Sequence, residues 1–559
     1  MKYVSCHHEQ AASMATEAYA RVRRGLGVTL VTTGPGGTNA ITGVAGSWLD
    51  HVPQIVISGQ VFTAQTINKH PGLRTLGVQE INIIDLVSPI TKYCVMVEDE
   101  QEIRYHLEKA VYLATHGRPG PVWIDIPANV QNAKVDPNTL KRFDPKECEI
   151  NLDPALEEKV AQVVTLLTSA KRPLIHVGQG VRIARAEDEF FKLISLYQLP
   201  FVTARNANDM SPENHQLYVG RPGTYGQRGA NFAVQTSDLY LAIGTRLSLA
   251  QTGYRAKDYA RNAKVIMVDI DQSELDKDTV NLHLKIQADA KQFLRELTRQ
   301  LSQVEVETKR WEQWITQCQQ WKKRYPVILP EYQERVGSVN SYYFIGVLSD
   351  VLTPSDIVVT DMGFAFQSTH QAFRVKEGQR VFTNCGLASM GWGLPAAVGA
   401  CFGSGMKRTV CIAGEGGLLM SIHEMATVMH HELPVKLFVL NNGGYLTVKQ
   451  TQDLGFEGRY MGSDEGSGIS FPDLMEIAKA HRFKSVRVNS HLNLKQQIED
   501  IINLEGPVLC EVMMDRNQLQ APRSINRRDT NGVIIQTALE DSYPFLNPRE
   551  IEENMSILN

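Results

Sequence analysis

No apolar run in the chain approaches the roughly 18 to 20 residues that span a bilayer. The opening stretch, MKYVSCHHEQ, has no hydrophobic signal-peptide core. Extended basic blocks are also missing, and the formal charge is -4, which argues against nucleic acid as a main partner. The eight cysteines are scattered and none forms a C-x-x-C, so neither a redox motif nor a zinc ribbon is suggested. Free thiols in a reducing cytoplasm fit this usage. Low-complexity segments and short-period repeats are lacking too. What remains, 43% apolar and 21% charged residues, is the composition of an ordinary globular protein. At 559 residues it is too long for one hydrophobic core, and about three to four domains are expected.

Short continuous apolar runs alternate with helical patterns throughout. GVTLVTT, QIVISGQ and PVWIDIP read as buried strands of a first block, and PLIHVGQG, LPFVTA, LYLAIGTR and KVIMVDID as those of a second. DIVVTDMG, TVCIAGEGG, VKLFVLNNGGY and PVLCEVMM read as those of a third. Such strands separated by helices indicate parallel sheets covered on both faces. The expected fold class is therefore α/β, with three doubly wound parallel-sheet domains. The expected boundaries are residues 1–130 for the first domain, 131–153 for a polar linker and 154–304 for a central domain. A charged helical connector follows at 305–337, then a third domain at 338–516 and an irregular tail at 517–559. Within the first block, Ala11, Ala15, Ala18 and Val22 share one side of a helix starting near Glu9.

The third block contains the most informative spacing. One strand stops at Gly414-Glu415-Gly416-Gly417, and Ser421-Ile422-His423-Glu424 has the capping-box form that opens a helix. Ile422, Met425, Ala426 and Met429 are then expected on its buried face, and the next strand stops at Asn441-Asn442. In a βαβ unit both strands end at the same edge of the sheet, where open α/β folds bind ligands. A carboxylate and a carboxamide meet there, an oxygen donor set suited to Mg²⁺ completed by water and phosphate oxygens. Gly416 and Gly417 leave backbone N–H groups for a phosphate beside a helix N-terminus. A Mg²⁺-bridged diphosphate is the ligand this chemistry suggests.

Gly414-Glu415-Gly416 followed by Asn441-Asn442 resembles the G-D-G…N-N signature of thiamine-diphosphate-dependent enzymes. With LPVKLFVLNN, the chain resembles their acetolactate synthase branch, the large catalytic subunit, over nearly its whole length. The resemblance implies Glu415, Asn442 and the carbonyl of Gly444 as Mg²⁺ ligands. SCHHEQAASMATEAYARV and GPGGTN resemble the pyrimidine-binding half. This implies Glu9 as the carboxylate that favours the imino tautomer and so the loss of the thiazolium C2 proton, with Pro35 and Asn39 as pyrimidine-side contacts. TLGVQE implies Gln79 at the reacting end, CGLASMGWGLPAA implies Met390 as the prop of the bent cofactor, and TDMGF matches the diphosphate side at Gly363. The central block resembles a domain that holds FAD in a structural role, which implies Gly178, Arg246 and Asp269 as flavin contacts. Shared sites between two subunits are implied, hence a homodimer or homotetramer.

Several positions depart from the family pattern. Glu415 replaces Asp, and its extra methylene moves the carboxylate outward by roughly 1.5 Å, while Mg²⁺–oxygen distances tolerate only a few tenths. Either the loop retreats, with the bulk-free Gly417 leaving room, or the metal is held less tightly. Phe364-Ala365 replaces a polar pair. Thr451 stands where the family has Trp, and Ala250 where it has an Arg that binds the acceptor carboxylate. Family members also carry a strand, a glycine turn and a helix before the Glu helix, whereas Glu9 has only eight residues ahead of it. The resemblance implies a pyruvate-decarboxylating carboligase, and Thr451 and Ala250 point to a sugar or aldehyde carbonyl as its acceptor, while Glu415, Phe364-Ala365 and the short start favour a second reading. The alternative is an inactive or regulatory paralogue that binds the cofactor. A dehydrogenase built on the G-x-G of HVGQGV explains neither GPGGTN nor the Glu415–Asn442 pair.

Overall fold

Every run read above as a strand is one, and the strands assemble into three parallel sheets. The computed structural model describes residues 3–70, 72–148, 153–528 and 534–556. Four strands form the first sheet, in the order Gly27–Val31, Gln54–Gln60, Pro121–Pro127, Tyr93–Met96. Six form the second, in the order Leu284–Gln287, Lys264–Asp269, Leu239–Ile243, Pro173–Val177, Phe201–Thr203, Tyr218–Gly220. The third also has six, in the order Arg380–Phe382, Ile357–Thr360, Thr409–Gly414, Val435–Asn441, Val508–Met513, Lys484–Val488. All pairings within these sheets are parallel. No helix among the described residues is long and apolar enough to cross a membrane, and all eight cysteines are free.

The tail adds an antiparallel pair, Asn526–Arg528 with Ile534–Gln536. Within the three parallel sheets the strands not anticipated are Tyr93–Met96, Tyr218–Gly220, Leu284–Gln287, Arg380–Phe382 and Lys484–Val488. Each lies at a sheet edge. An edge strand has one neighbour and is often covered less completely, so it needs no continuous apolar run. Two of them are also only three residues long.

Residues 305–337 are charged outside and aromatic inside. Trp311, Trp314 and Trp321 are buried, and their indoles donate to the carbonyls of Ala170 (2.9 Å) and Pro173 (2.9 Å) and to Asn554 Oδ1 (2.8 Å). This segment thus packs on the central domain. The tail closes over the same body, with Arg228 donating to the carbonyls of Ser542 and Pro544.

The first and third domains meet along two helices, Glu9–Arg23 and Gly393–Ser404. A Cβ on Gly399 would lie 1.9 Å from the Ala15 carbonyl oxygen, so only glycine permits this approach. As expected, Ala11, Ala15 and Ala18 are buried, but so are Glu17 and Arg21, which alanine periodicity did not reveal. Arg21 donates to Glu17 (2.6 Å) and Asp50 (2.7 Å). Glu17 also accepts from the Trp392 indole (2.8 Å) and the Asn384 amide (3.2 Å), while Asn206 donates to Asp50 (2.8 Å). Residues of all three domains therefore converge on one buried ionic cluster. Removing a single partner leaves uncompensated buried charge. Arg21→Ala is expected to destabilise the protein by about 3–5 kcal/mol, measured as a lower denaturant midpoint; an unchanged midpoint would remove the cluster from this role.

Candidate active site

The strand Thr409–Gly414 delivers Glu415 to the first position of the short helix Glu415–Leu419. Its carboxylate turns back across the sheet edge. Oε1 accepts the amides of Asn442 (3.2 Å) and Gly444 (2.8 Å), at the end of the neighbouring strand Val435–Asn441. Oε2 is buried with no hydrogen-bond partner. The side chain is 1% exposed, and burial pushes its pKa up to about 7 against the opposing pull of these amides. Glu415 and Asn442 are thus brought together, as the spacing predicted, and Gly444 joins them. An orphaned carboxylate oxygen beside a carboxamide residue fits a hard cation.

The glycines around Glu415 serve a purpose the sequence reading did not foresee. A Cβ on Gly416 would come within 2.2 Å of the Tyr445 ring, and one on Gly417 within 2.7 Å of Asp361 Oδ2. Both glycines let neighbouring loops close onto the Glu415 turn. The expected room at Gly417 for a retreating loop is not there, because Asp361 fills it. The longer carboxylate is accommodated instead by bending onto the 442–444 backbone. Beyond it, Gly443 has φ +74, and Gly444 packs against the Ser463 carbonyl. A cavity of about 720 Å³ adjoins this turn, with Lys449, Arg487 and Arg516 in its wall.

Gly363 (φ +75) caps the helix Phe364–Ala372, and Phe364 and Ala365 are buried in that helix. Met390 is half-buried in the turn before the helix Gly393–Ser404. Met390 and Gly363 flank Asp361, whose backbone amide donates to the Ile412 carbonyl (2.8 Å).

The capping box expected at Ser421 does not form. The helix begins at Glu424, without a side-chain cap, and its buried positions are Glu424, Met425, Thr427 and Val428. Ile422, Ala426 and Met429 of the expected face are only partly buried. Glu424 is used elsewhere: its carboxylate accepts the amides of His7 (2.9 Å) and His8 (3.1 Å) across the domain boundary, and the Thr427 hydroxyl (2.5 Å). A long-range contact has outcompeted a local one.

That contact fixes the entry to Glu9. His8 is the N-cap, accepting the Gln10 amide on Nδ1 (3.1 Å), and Glu9 opens the helix Glu9–Arg23. The Asn39 carboxamide donates to Glu9 Oε2 (3.0 Å). Pro35 and Asn39 share the first turns of the helix Pro35–Leu49. Gln79 (φ +59) belongs to a loop that lies against Gly34, where a Cβ would sit 2.1 Å from the Gln79 carbonyl oxygen. The Glu9 helix and the Gln79 loop therefore both contact the segment that carries Pro35 and Asn39.

In the central domain, Gly178 and Arg246 follow two strands and Asp269 ends a third, all three adjacent and finishing at one sheet edge. A Cβ on Gly178 would meet the Gly244 carbonyl oxygen at 2.1 Å, so its glycine is explained by the packing of two turns. Asp269 is half-buried, and burial raises its pKa to about 6. The Arg246 guanidinium has no hydrogen bond or ion pair among the described residues.

Comparison with known proteins bears on what this arrangement does. Residues 1–85 match the family model for the thiamine pyrophosphate enzyme N-terminal TPP binding domain. Residues 160–297 match that for the central domain, and 361–512 that for the C-terminal TPP binding domain. The chain is 31% identical to the acetolactate synthase large subunit of Cyanidium caldarium, covering 92% of this chain and 86% of the relative. It is 31% identical to the acetolactate synthase isozyme 1 large subunit of Escherichia coli, covering 93% and 88%. The probable acetolactate synthase large subunit of Methanocaldococcus jannaschii is 31% identical, with 92% and 85% covered.

Glu415 titrates far above the ordinary 4.5 of an exposed glutamate. Between 4.5 and about 7 the metal-free folded state binds more protons than the unfolded state, so its stability falls as pH rises through that window. Glu415→Gln removes this slope. Without metal, the variant is expected to melt close to wild type near pH 5 and above it at pH 8; an equal difference at both pH values would contradict the assignment.

Proposed function

The chain belongs to the thiamine-diphosphate-dependent enzymes, in the acetolactate synthase large-subunit branch, and on that premise we propose a pyruvate-decarboxylating carboligase with a sugar or aldehyde carbonyl as acceptor. The observation that carries the reading is the Glu415 carboxylate, held by the Asn442 and Gly444 amides with its second oxygen buried and unpaired. Glu415, Asn442 and the Gly444 carbonyl would hold Mg²⁺, and Gly363, Gly416 and Gly417 would line the diphosphate end. Bound thiamine diphosphate supplies the electron sink for decarboxylation and carboligation. The protein's part is to bind, orient and exchange protons. Glu9, oriented by the Asn39 carboxamide that donates to its Oε2, would hold the cofactor's pyrimidine ring through its carboxylate. Met390 would support the cofactor's bend, and Gln79 with Pro35 would border its reacting end.

Glu9 and the Glu415 loop are joined through Glu424 within one chain, and a homodimer or homotetramer with sites between subunits completes the arrangement. FAD in a structural role would take Gly178, Arg246 and Asp269; the unpaired Arg246 supports an anionic group there, and absorbance near 450 nm in purified protein tests it.

Two positions support the altered acceptor. Thr451 lies on the exposed side of the helix Leu446–Phe456, its hydroxyl returned to the Thr447 carbonyl (3.0 Å). At 250 there is no cation: the Ala250 carbonyl accepts from the Thr224 amide and hydroxyl, and Gln251 points to the Pro222 carbonyl. Without a guanidinium fork, an acceptor carboxylate loses its bidentate partner.

With pyruvate, thiamine diphosphate and Mg²⁺, the enzyme is expected to release carbon dioxide slowly, and an added keto-sugar or aldehyde should accelerate it. Efficient acetolactate formation from pyruvate alone would overturn the altered acceptor. No carbon dioxide release under any of these conditions would favour an inactive, cofactor-binding paralogue, the reading to which the buried Phe364-Ala365 pair lends weight. Glu9→Gln is expected to lower turnover about 10²–10⁴-fold, read in the same assay.

A further inference from the structure

In the third sheet the chain runs outward from Ile357–Thr360 to Arg380–Phe382, then returns to Thr409–Gly414 and runs the other way. The order reverses between the Ile357–Thr360 and Thr409–Gly414 strands, and at such a switch point a crevice opens beyond the strand ends. Asp361 stands at its base, one residue past the first strand.

The Asp361 carboxylate is 1% exposed and has no cationic partner among the described residues. Backbone amides alone satisfy it. Oδ1 accepts Met362 N (2.7 Å) and Gly391 N (3.1 Å), and Oδ2 also accepts Gly391 N (3.1 Å). The amides of Trp392 and Gly393, where the helix Gly393–Ser404 begins, also lie close enough to favour its anion. Oδ2 occupies the space a Gly417 side chain would need, 2.7 Å from the Cβ position. Burial is the largest influence on the group and raises its pKa to about 6.

A carboxylate without a counter-charge is a costly group to bury. Here it touches three loops at once: 362–363, 390–393 and the Gly417 turn two residues from Glu415. Those loops carry Gly363, Met390 and Gly416-Gly417. The helix N-terminus adds a favourable dipole, and the amides spent on Asp361 are withdrawn from the crevice, so their orientation is set before any ligand arrives.

We propose that Asp361 is the positioning residue for the diphosphate end of the cofactor, holding three loops in register so that bound diphosphate and the Glu415 carboxylate meet at one place. The inference rests on the thiamine diphosphate reading above. Asparagine at 361 would turn an N–H₂ towards the Gly391 amide, donor against donor, and should loosen that register.

The test is binding of thiamine diphosphate with Mg²⁺ to the apoprotein by calorimetry, with melting temperature recorded alongside. Asp361→Asn is expected to raise the Kd at least about tenfold, roughly 1.4 kcal/mol, in protein that still melts cooperatively. A purely structural role would lower the melting temperature and leave the Kd of the folded protein unchanged; that result overturns the inference. If Asp361→Asn fails to fold, Asp361→Ser, which vacates the space and admits water to the freed amides, is read in the same way. Failure of both to fold would assign the residue to folding and equally overturn it. A wild-type protein that binds no thiamine diphosphate would instead overturn the functional reading on which the inference rests.

Discussion

The bond from Glu415 to the amides of Asn442 and Gly444 is the interaction around which the candidate site is built. It joins the ends of two neighbouring parallel strands through a charge rather than through the sheet ladder. Two opposing effects meet on this side chain. Burial disfavours the anion, while the backbone N–H groups favour it, and burial wins, since the pKa stands at about 7. A cation at the unpaired Oε2 would reverse that balance.

Several buried carboxylates organise the rest of the molecule, with two kinds of partner. Glu17 shares Arg21 with Asp50 and takes the Trp392 indole, so charge meets charge where three domains join. Glu424 and Asp361 have backbone amides instead, the first reaching the segment before Glu9, the second gathering three loops of its own domain. An Arg–carboxylate pair tolerates some variation in the geometry of the surrounding chain, because the long side chain can adjust. Amides cannot adjust without moving backbone. The amide-bound acids Glu424 and Asp361 therefore fix backbone position, whereas the Arg-bound pair Glu17 and Asp50 holds domains together.

Close backbone approach is the second recurring device. Gly399 against Ala15, Gly416 against Tyr445, Gly417 against Asp361 and Gly178 against Gly244 all exclude a Cβ. In the Glu415 turn this explains Gly416 and Gly417 better than exposed phosphate-binding amides alone. It also shows why the longer acid had to fold inward.

Much of the architecture was legible in the amino-acid order. Interior strands of parallel sheets are buried on both faces and must be continuously apolar, so every interior strand was readable, while five edge strands were not. The meeting of Glu415 with Asn442 also followed from chain order, because βαβ units bring successive strand ends to one edge. The helix start at Ser421 was misread because a local capping pattern carries no information about a distant acceptor: the amides of His7 and His8 lie more than 400 residues away in the chain and claimed Glu424. Asp361 was in plain view in TDMGF, yet nothing local distinguishes a solvated turn acid from one enclosed by three loops. Local pattern determined the elements and the edge at which they end. Only the tertiary structure decided which acids are buried and what satisfies them, since desolvation and amide geometry depend on segments that sequence separation keeps apart.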